Sequence, residues 1–194
     1  IEEAVYDEVI GLMKKAGCYF ATKDEIKKLE EVVINPANGN VNPAIVGQPP
    51  VKIAAMAGIS IPADTKILCT ELEGVGPEYP LSKEKLSPVL AIIKAKNVQH
   101  GFELCEKMIS LGGLGHSSVI HSSSDAVIKE FSARMKTGRI LVNSPATFGA
   151  IGDLYNTNIP SLTLGCGTYG GNSTTNNVSA VDLINYKRVA KRRV

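Results

Sequence analysis

The 194 residues carry 21 Lys and Arg against 19 Asp and Glu, a formal net charge of +2, with 44% hydrophobic residues. This balance suits one medium globular domain or two small ones. It excludes a disordered chain and gives no electrostatic case for binding nucleic acid or a membrane surface. Aromatics make up only 5% and Trp is absent, which argues against a base- or sugar-stacking platform.

The sequence begins at Ile1 rather than Met and enters helical periodicity almost at once, with no signal-peptide pattern and no apolar stretch of membrane-spanning length. The expectation is a cytoplasmic segment cut from a longer polypeptide. Val5, Val9, Leu12, Met13 and Ala16 form one apolar helical stripe, closed by Lys14, Lys15 and Gly17. Cys18 to Ala21 reads as a short strand. Thr22 and Glu25 have capping-box spacing and open a second helix with Ile26, Leu29, Val32 and Val33 on its buried face. Asn35 to Pro43 is turn-rich around Asn38-Gly39. Val51 to Ala57 reads as a short helix ended by Gly58, Thr65 to Glu71 as a strand, and Gly74 to Pro80 as a loop. Val89 to Ile93 is a continuous apolar run, the pattern of a strand buried on both faces.

Asn97 caps a predicted helix bearing Val98, Phe102, Cys105 and Ile109, which stops at Gly112-Gly113. Ser117 to His121 is a predicted strand. Ser123 or Ser124 caps a helix with Val127, Ile128, Phe131 and Met135, and Arg139 to Asn143 is a strand again. This alternation predicts an α/β fold, with a mostly parallel open sheet between helices on both faces in three αβα layers. One domain is expected over residues 1–180. From Ser144 to Asn177 the chain is mostly loop, and long loops in compact domains are often functional. Residues 181–194 form a basic end, read as a helix end leading into a linker.

The four cysteines are widely spaced with no CxxC, so neither a zinc site nor a disulfide scaffold is expected. Gly165 to Gly170 (GCGTYG) matches a dinucleotide-binding expression, but Gly171-Asn-Ser-Thr-Thr-Asn-Asn follows with no helical pattern. A tight glycine loop is the better reading. Asn172-Ser-Thr and Asn177-Val-Ser match the glycosylation pattern by chance. His116, in GGLGHSS between a helix end and a strand start, can serve as a general acid or base, or simply as a hydrogen-bonded turn histidine. No Asp, Glu or Cys cluster accompanies His116 and His121, so no metal is expected. Glu84, just before the apolar strand, can accept two ribose hydroxyl hydrogen bonds or be a plain surface charge. Cys166 has no local His or basic partner to stabilise a thiolate and is left as a bystander.

Glu84 to Val89 (EKLSPV), Gly112 to Ser118 (GGLGHSS) and Ile151-Gly-Asp-Leu-Tyr-Asn through Pro160 to Ser173 (PSLTLGCGTYGGNS) resemble the acylating, CoA-dependent acetaldehyde dehydrogenases. They are most similar to the aldehyde dehydrogenase half of the bifunctional aldehyde–alcohol dehydrogenases of fermentative bacteria, and the likeness spans essentially the whole chain. The resemblance implies an aldehyde-dehydrogenase-like catalytic domain. It implies NAD (NADH) as cofactor, CoA as a substrate, acetaldehyde and acetyl-CoA as reactants, and no metal in this domain.

Within that resemblance Glu84 matches the glutamate that binds the nicotinamide ribose, and Leu86 replaces an aromatic residue beside the nicotinamide. His116 matches the histidine of the acylating branch that handles CoA or protons near the thioester. Gly165, Cys166 and Gly167, with Asn143, Ser144 and Pro145, are expected near the active-site mouth. The family nucleophile is a cysteine just upstream of the first helix, and none of the four cysteines matches it. The resemblance therefore implies a fragment, inactive alone, that lacks its nucleotide-binding domain and an iron-dependent alcohol dehydrogenase domain. The parent is expected to be a homo-oligomer, with no nucleic-acid or membrane partner. In it a cysteine thiolate attacks acetaldehyde, hydride passes to NAD⁺ and CoA resolves the thioester. A non-catalytic α/β ligand-binding or assembly module is the alternative reading of the same pattern.

Overall fold

The computed structural model describes residues 1–193; Val194, the last residue of the basic end, lies outside the described residues. The chain divides into two compact units, Ile1–Gly113 and Leu114–Val194, where the sequence suggested one domain over 1–180.

The first unit is built on a three-stranded parallel sheet in the order β1 (Cys18–Phe20), β4 (Ile67–Leu72), β5 (Val89–Ile93). Successive strand residues point to opposite faces. Leu68 and Val89 face the helices α2 (Lys23–Val33) and α3 (Pro50–Met56), packing with Leu29, Val33, Ile45, Ile53 and Leu81. Cys69 and Ile92 face the other way, against Tyr6 and Ile10 of α1 (Glu3–Lys15). Helices on both faces of a parallel sheet give the expected αβα layers. The capping box forms as the spacing predicts. The Thr22 hydroxyl accepts the Glu25 amide, and the Glu25 carboxylate accepts the Thr22 amide at 2.8 Å.

A small antiparallel hairpin, β2 (Ile34–Asn35) and β3 (Asn40–Val41), turns at Asn38-Gly39. β5 departs from expectation. It is an edge strand, so its Leu90 remains 42% exposed instead of buried. In α4 (Val98–Leu111), Asn97 caps the first turn by accepting the His100 amide at 2.9 Å. Phe102 and Leu104 are its buried residues, and the other predicted stripe positions, Val98, Cys105 and Ile109, are half-buried.

The second unit holds a two-stranded parallel sheet, β6 (Gly115–Ile120) and β7 (Thr137–Val142), joined by α5 (Asp125–Arg134). Ser124 is the cap of α5, its hydroxyl accepting the Val127 amide, and Phe131 and Met135 are buried. After β7 the short α6 (Ala146–Ile151) interrupts a region that is otherwise loop and single 3-10 turns, as the composition suggests. Among the described residues no helix is long and apolar enough to cross a membrane.

Candidate functional site

In the first unit the EKLSPV segment leaves a single 3-10 turn, Pro80–Ser82, and alternates outward and inward before β5. Lys85 points inward and is only 7% exposed. Its ammonium donates to the carbonyl of Leu81 and, at 2.8 Å, to that of Lys83, so the loop closes around its own side chain. Burial pushes the Lys85 pKa down to about 8, against the opposing pull of the Glu84 carboxylate. The residues on either side face outward. Glu84 is exposed, and its carboxylate makes no hydrogen bond or ion pair among the described residues. Leu86 is 70% exposed and has φ +39°, a left-handed conformation unusual for a branched residue and held here by the clamped loop. The hydroxyl of Ser87 is buried without a hydrogen-bond partner among the described residues.

In the second unit His116 is the second residue of β6, exposed, with an imidazole that has no hydrogen-bond partner among the described residues. Beside it lies the Gly165–Cys166–Gly167 loop, which runs into a single 3-10 turn at Thr168–Gly170 and opens no helix. The glycines are there because the backbones touch. A Cβ on Gly115 would sit 1.9 Å from the Cys166 carbonyl oxygen, and one on Gly170 would sit 2.8 Å from that of Leu114. On Gly165 it would meet the Thr174 carbonyl oxygen at 2.3 Å. Only glycine permits this approach. Cys166 is half-buried, its amide donating to the Asn172 side chain at 3.0 Å.

Asn143, Ser144 and Pro145 lie elsewhere. They follow the C-terminal end of β7, whereas His116 sits at the N-terminal end of its partner strand. Five residues of strand rise separate the two places, about 16 Å. The residues expected near the mouth therefore lie at the two ends of the strand pair, because parallel pairing puts the start of one strand beside the start of the other. Asn143 has φ +52° and is locked to Ser122, accepting its amide at 2.9 Å and donating to its carbonyl at 2.8 Å. Pro145 precedes the first turn of α6, and the Ser144 hydroxyl lies against Gly149.

Three residues escaped the sequence reading. Lys85 looked like one more charge in a Lys-Glu-Lys run. Arg139 looked like an ordinary strand residue, yet it is 5% exposed and buried among main-chain carbonyls. Asn177, in a glycosylation-type triplet, is buried and donates to the carbonyls of Ala150 at 2.9 Å and Ile159 at 2.8 Å. An Arg inside an apolar strand run was the one available signal. A cleft of about 370 Å³ in the first unit, lined by Ile34, Pro36, Pro77, Pro80, Lys83 and Leu111 among others, contains none of the assigned residues. Among the described residues no group of three or more His, Cys, Asp or Glu side chains is placed to hold a metal ion.

No family model matches the chain. It is 46% identical over 196 residues to the bifunctional aldehyde-alcohol dehydrogenase AdhE of Escherichia coli K12, covering 99% of this chain and 22% of that protein. It is 44% identical over 200 residues to an aldehyde-alcohol dehydrogenase of Streptococcus pneumoniae, covering 100% of this chain and 23% of the relative. The chain thus spans less than a quarter of the length of these relatives. Among solved structures, an acetylating aldehyde dehydrogenase from Geobacillus thermoglucosidasius matches with a TM-score of 0.89 and 39% identity, covering 98% of this chain and 43% of that one.

Proposed function

We propose, from the premise that this chain belongs to the acylating aldehyde dehydrogenases, that it contributes part of the site of an oxidoreductase interconverting acetyl-CoA and acetaldehyde. The observation that carries the reading is a pairing repeated in both units. An outward-facing group with no hydrogen-bond partner among the described residues sits on backbone held by a buried cation: Glu84 on the Lys85 loop, and His116 on the strand start bonded by Arg139.

The segment around Glu84 fits a nicotinamide nucleotide. Both carboxylate oxygens are free to accept ribose hydroxyls. The exposed Leu86 side chain offers an apolar surface to a ring. The chemistry supplied from outside the chain is a hydride, together with a thiol that carries the acyl group. The chain's own part is to bind, orient and move protons. Glu84 fixes the ribose. The free imidazole nitrogens of His116 take a proton from a thiol or give one to a departing sulfur. The nucleophile is supplied by a residue other than these four cysteines, and the 194 residues alone give no turnover.

The test uses the complete polypeptide encoded by the gene, with acetyl-CoA reduction followed by NADH absorbance. Glu84→Gln raises the KM for NADH about tenfold while kcat changes little, the pattern of lost ground-state binding. His116→Ala lowers kcat about 100-fold with the NADH KM retained. Wild-type kinetics in both variants would overturn the reading.

A further inference from the structure

We propose that Arg139 is a positioning residue that holds His116 and the Gly165–Gly167 loop in one fixed arrangement; this rests on the role proposed above for His116. A guanidinium carries five N–H groups in a rigid planar fork. Here Nε donates to the Ser117 hydroxyl at 3.1 Å. Nη1 donates to the Thr175 carbonyl at 2.9 Å and to the Asn177 amide oxygen at 3.4 Å. Nη2 donates to the carbonyls of His116 at 3.1 Å and Gly165 at 2.6 Å. All five positions are used by the protein, so none is left for a ligand. That is why Arg139 positions and does not bind.

The acceptors identify what is being held. Two of them, the carbonyls of His116 and Gly165, belong to residues of the proposed site itself. Thr175 and Asn177 belong to the strip that folds back over that loop, where the Gly165 amide donates to Asn176 and the Gly167 amide to Thr174, each at 2.8 Å. One side chain on β7 therefore ties the start of β6, the glycine loop and the returning strip together. The glycine contacts act in concert with it. With a Gly115 Cβ position 1.9 Å from the Cys166 carbonyl oxygen, the loop has no clearance to shift toward the strand. The guanidinium keeps it from shifting away.

The choice of Arg is costly, and the cost is informative. Its hydrogen-bond partners are all neutral, with no carboxylate among them, and burial pushes its pKa down against the opposing pull of Cys166. Burying a charge without a counter-ion is unfavourable unless its hydrogen bonds are satisfied. A Lys offers three donors from a point and cannot span these five acceptors.

The test uses the complete polypeptide, with Arg139→Lys, His116→Ala and the double variant assayed for acetyl-CoA reduction. Arg139→Lys is expected to lower kcat about tenfold or more with the NADH KM changed less than about twofold. In the His116→Ala background the same substitution is expected to cost less than about twofold, because the group it positions is gone. A merely structural role would give the same factor in both backgrounds, and that result overturns the proposal, as does an unchanged kcat.

Hydrogen–deuterium exchange supplies a readout independent of His116. Arg139→Lys is expected to speed exchange of the Gly165 and Gly167 amides while that of Asn143, bonded to the Ile120 carbonyl at 2.9 Å, keeps its protection, and unchanged exchange overturns the clamp. If His116→Ala alone leaves kcat intact, the functional reading fails, and the exchange result still decides the clamp. Should Arg139→Lys not fold, Ser117→Ala removes a single acceptor. It is expected to lower kcat about threefold, and to change it by well under twofold in the His116→Ala background. An equal loss in both backgrounds refutes the proposal there too.

Discussion

Replacing Lys85 by Met gives a prediction whose size follows from the geometry. Lys85 is 7% exposed, the acceptors of its ammonium are two neutral carbonyls, and burial lowers its pKa from 10.5 to about 8. The folded chain therefore loses the Lys85 proton at lower pH than the unfolded chain does. Between these two values the unfolded state holds more protons, so stability rises with pH. The charged form's full penalty is present below pH 8. It is relieved as pH climbs through the folded value and is gone above the unfolded one. Integrated from pH 7 to pH 9.5, this single group raises stability by about 2 kcal/mol.

Other groups titrate in the same window. Burial, aided by Glu71, raises the Tyr6 pKa, and burial raises Cys69 to about 12, both with the opposite slope. They are common to both proteins and cancel in the difference. The assay is urea unfolding of wild type and Lys85→Met by far-ultraviolet circular dichroism at half-unit steps from pH 7 to 9.5. The wild type should gain about 2 kcal/mol relative to the variant across the range. At any one pH the sign is ambiguous, because Met also strands two carbonyls, so only the slope is diagnostic. A difference flat to about 0.5 kcal/mol would refute the buried-ammonium account.

Gly115→Ala should destabilise the second unit by about 3 kcal/mol or more, read from the urea midpoint, since φ there is +80° and the added methyl meets the Cys166 backbone. Leu29→Ala, fully buried between α2 and the sheet, should cost about 3 kcal/mol by the same measurement, and a loss under about 1 kcal/mol would contradict the packing described. Burial pushes the Cys69 thiol up to about 12, with Cys18 as the second cause, and the residue is inaccessible. Iodoacetamide at pH 8 should leave Cys69 unmodified in the folded chain and label it in urea, as peptide mass spectrometry will show.

What could be read from sequence was local in origin. The Thr22 capping box, the Asn97 and Ser124 caps and the helix stop at Gly112-Gly113 depend on neighbours a few residues away, and each forms. The alternation giving parallel pairs β4–β5 and β6–β7 was equally legible. The apolar run of β5 carried no sign that it would be an edge strand, since edge position is decided by pairing partners distant in sequence. The candidate residues were found through motif resemblance, but their grouping was not. His116 and Asn143 frame a strand pair in sequence and stand at opposite ends of it in space. The role of Arg139 was hidden for a plainer reason. Its acceptors are chiefly main-chain carbonyls, which every residue has and which leave no trace in side-chain chemistry.

The strand order of the first unit also governs how the chain can fold. β4 is central, yet β1, which precedes it by two helices and a hairpin, pairs Cys18 with Ile67. Neither β1 nor β5 has another strand in that sheet to pair with, so no ladder exists until β4 arrives. During synthesis the amphipathic α1 and α2 must wait for the sheet they pack on until the ribosome has released residues beyond Leu72. Non-local pairing of this kind slows folding and lengthens exposure to aggregation. The capping box of α2 then has a kinetic use, keeping that helix formed through the wait for its sheet.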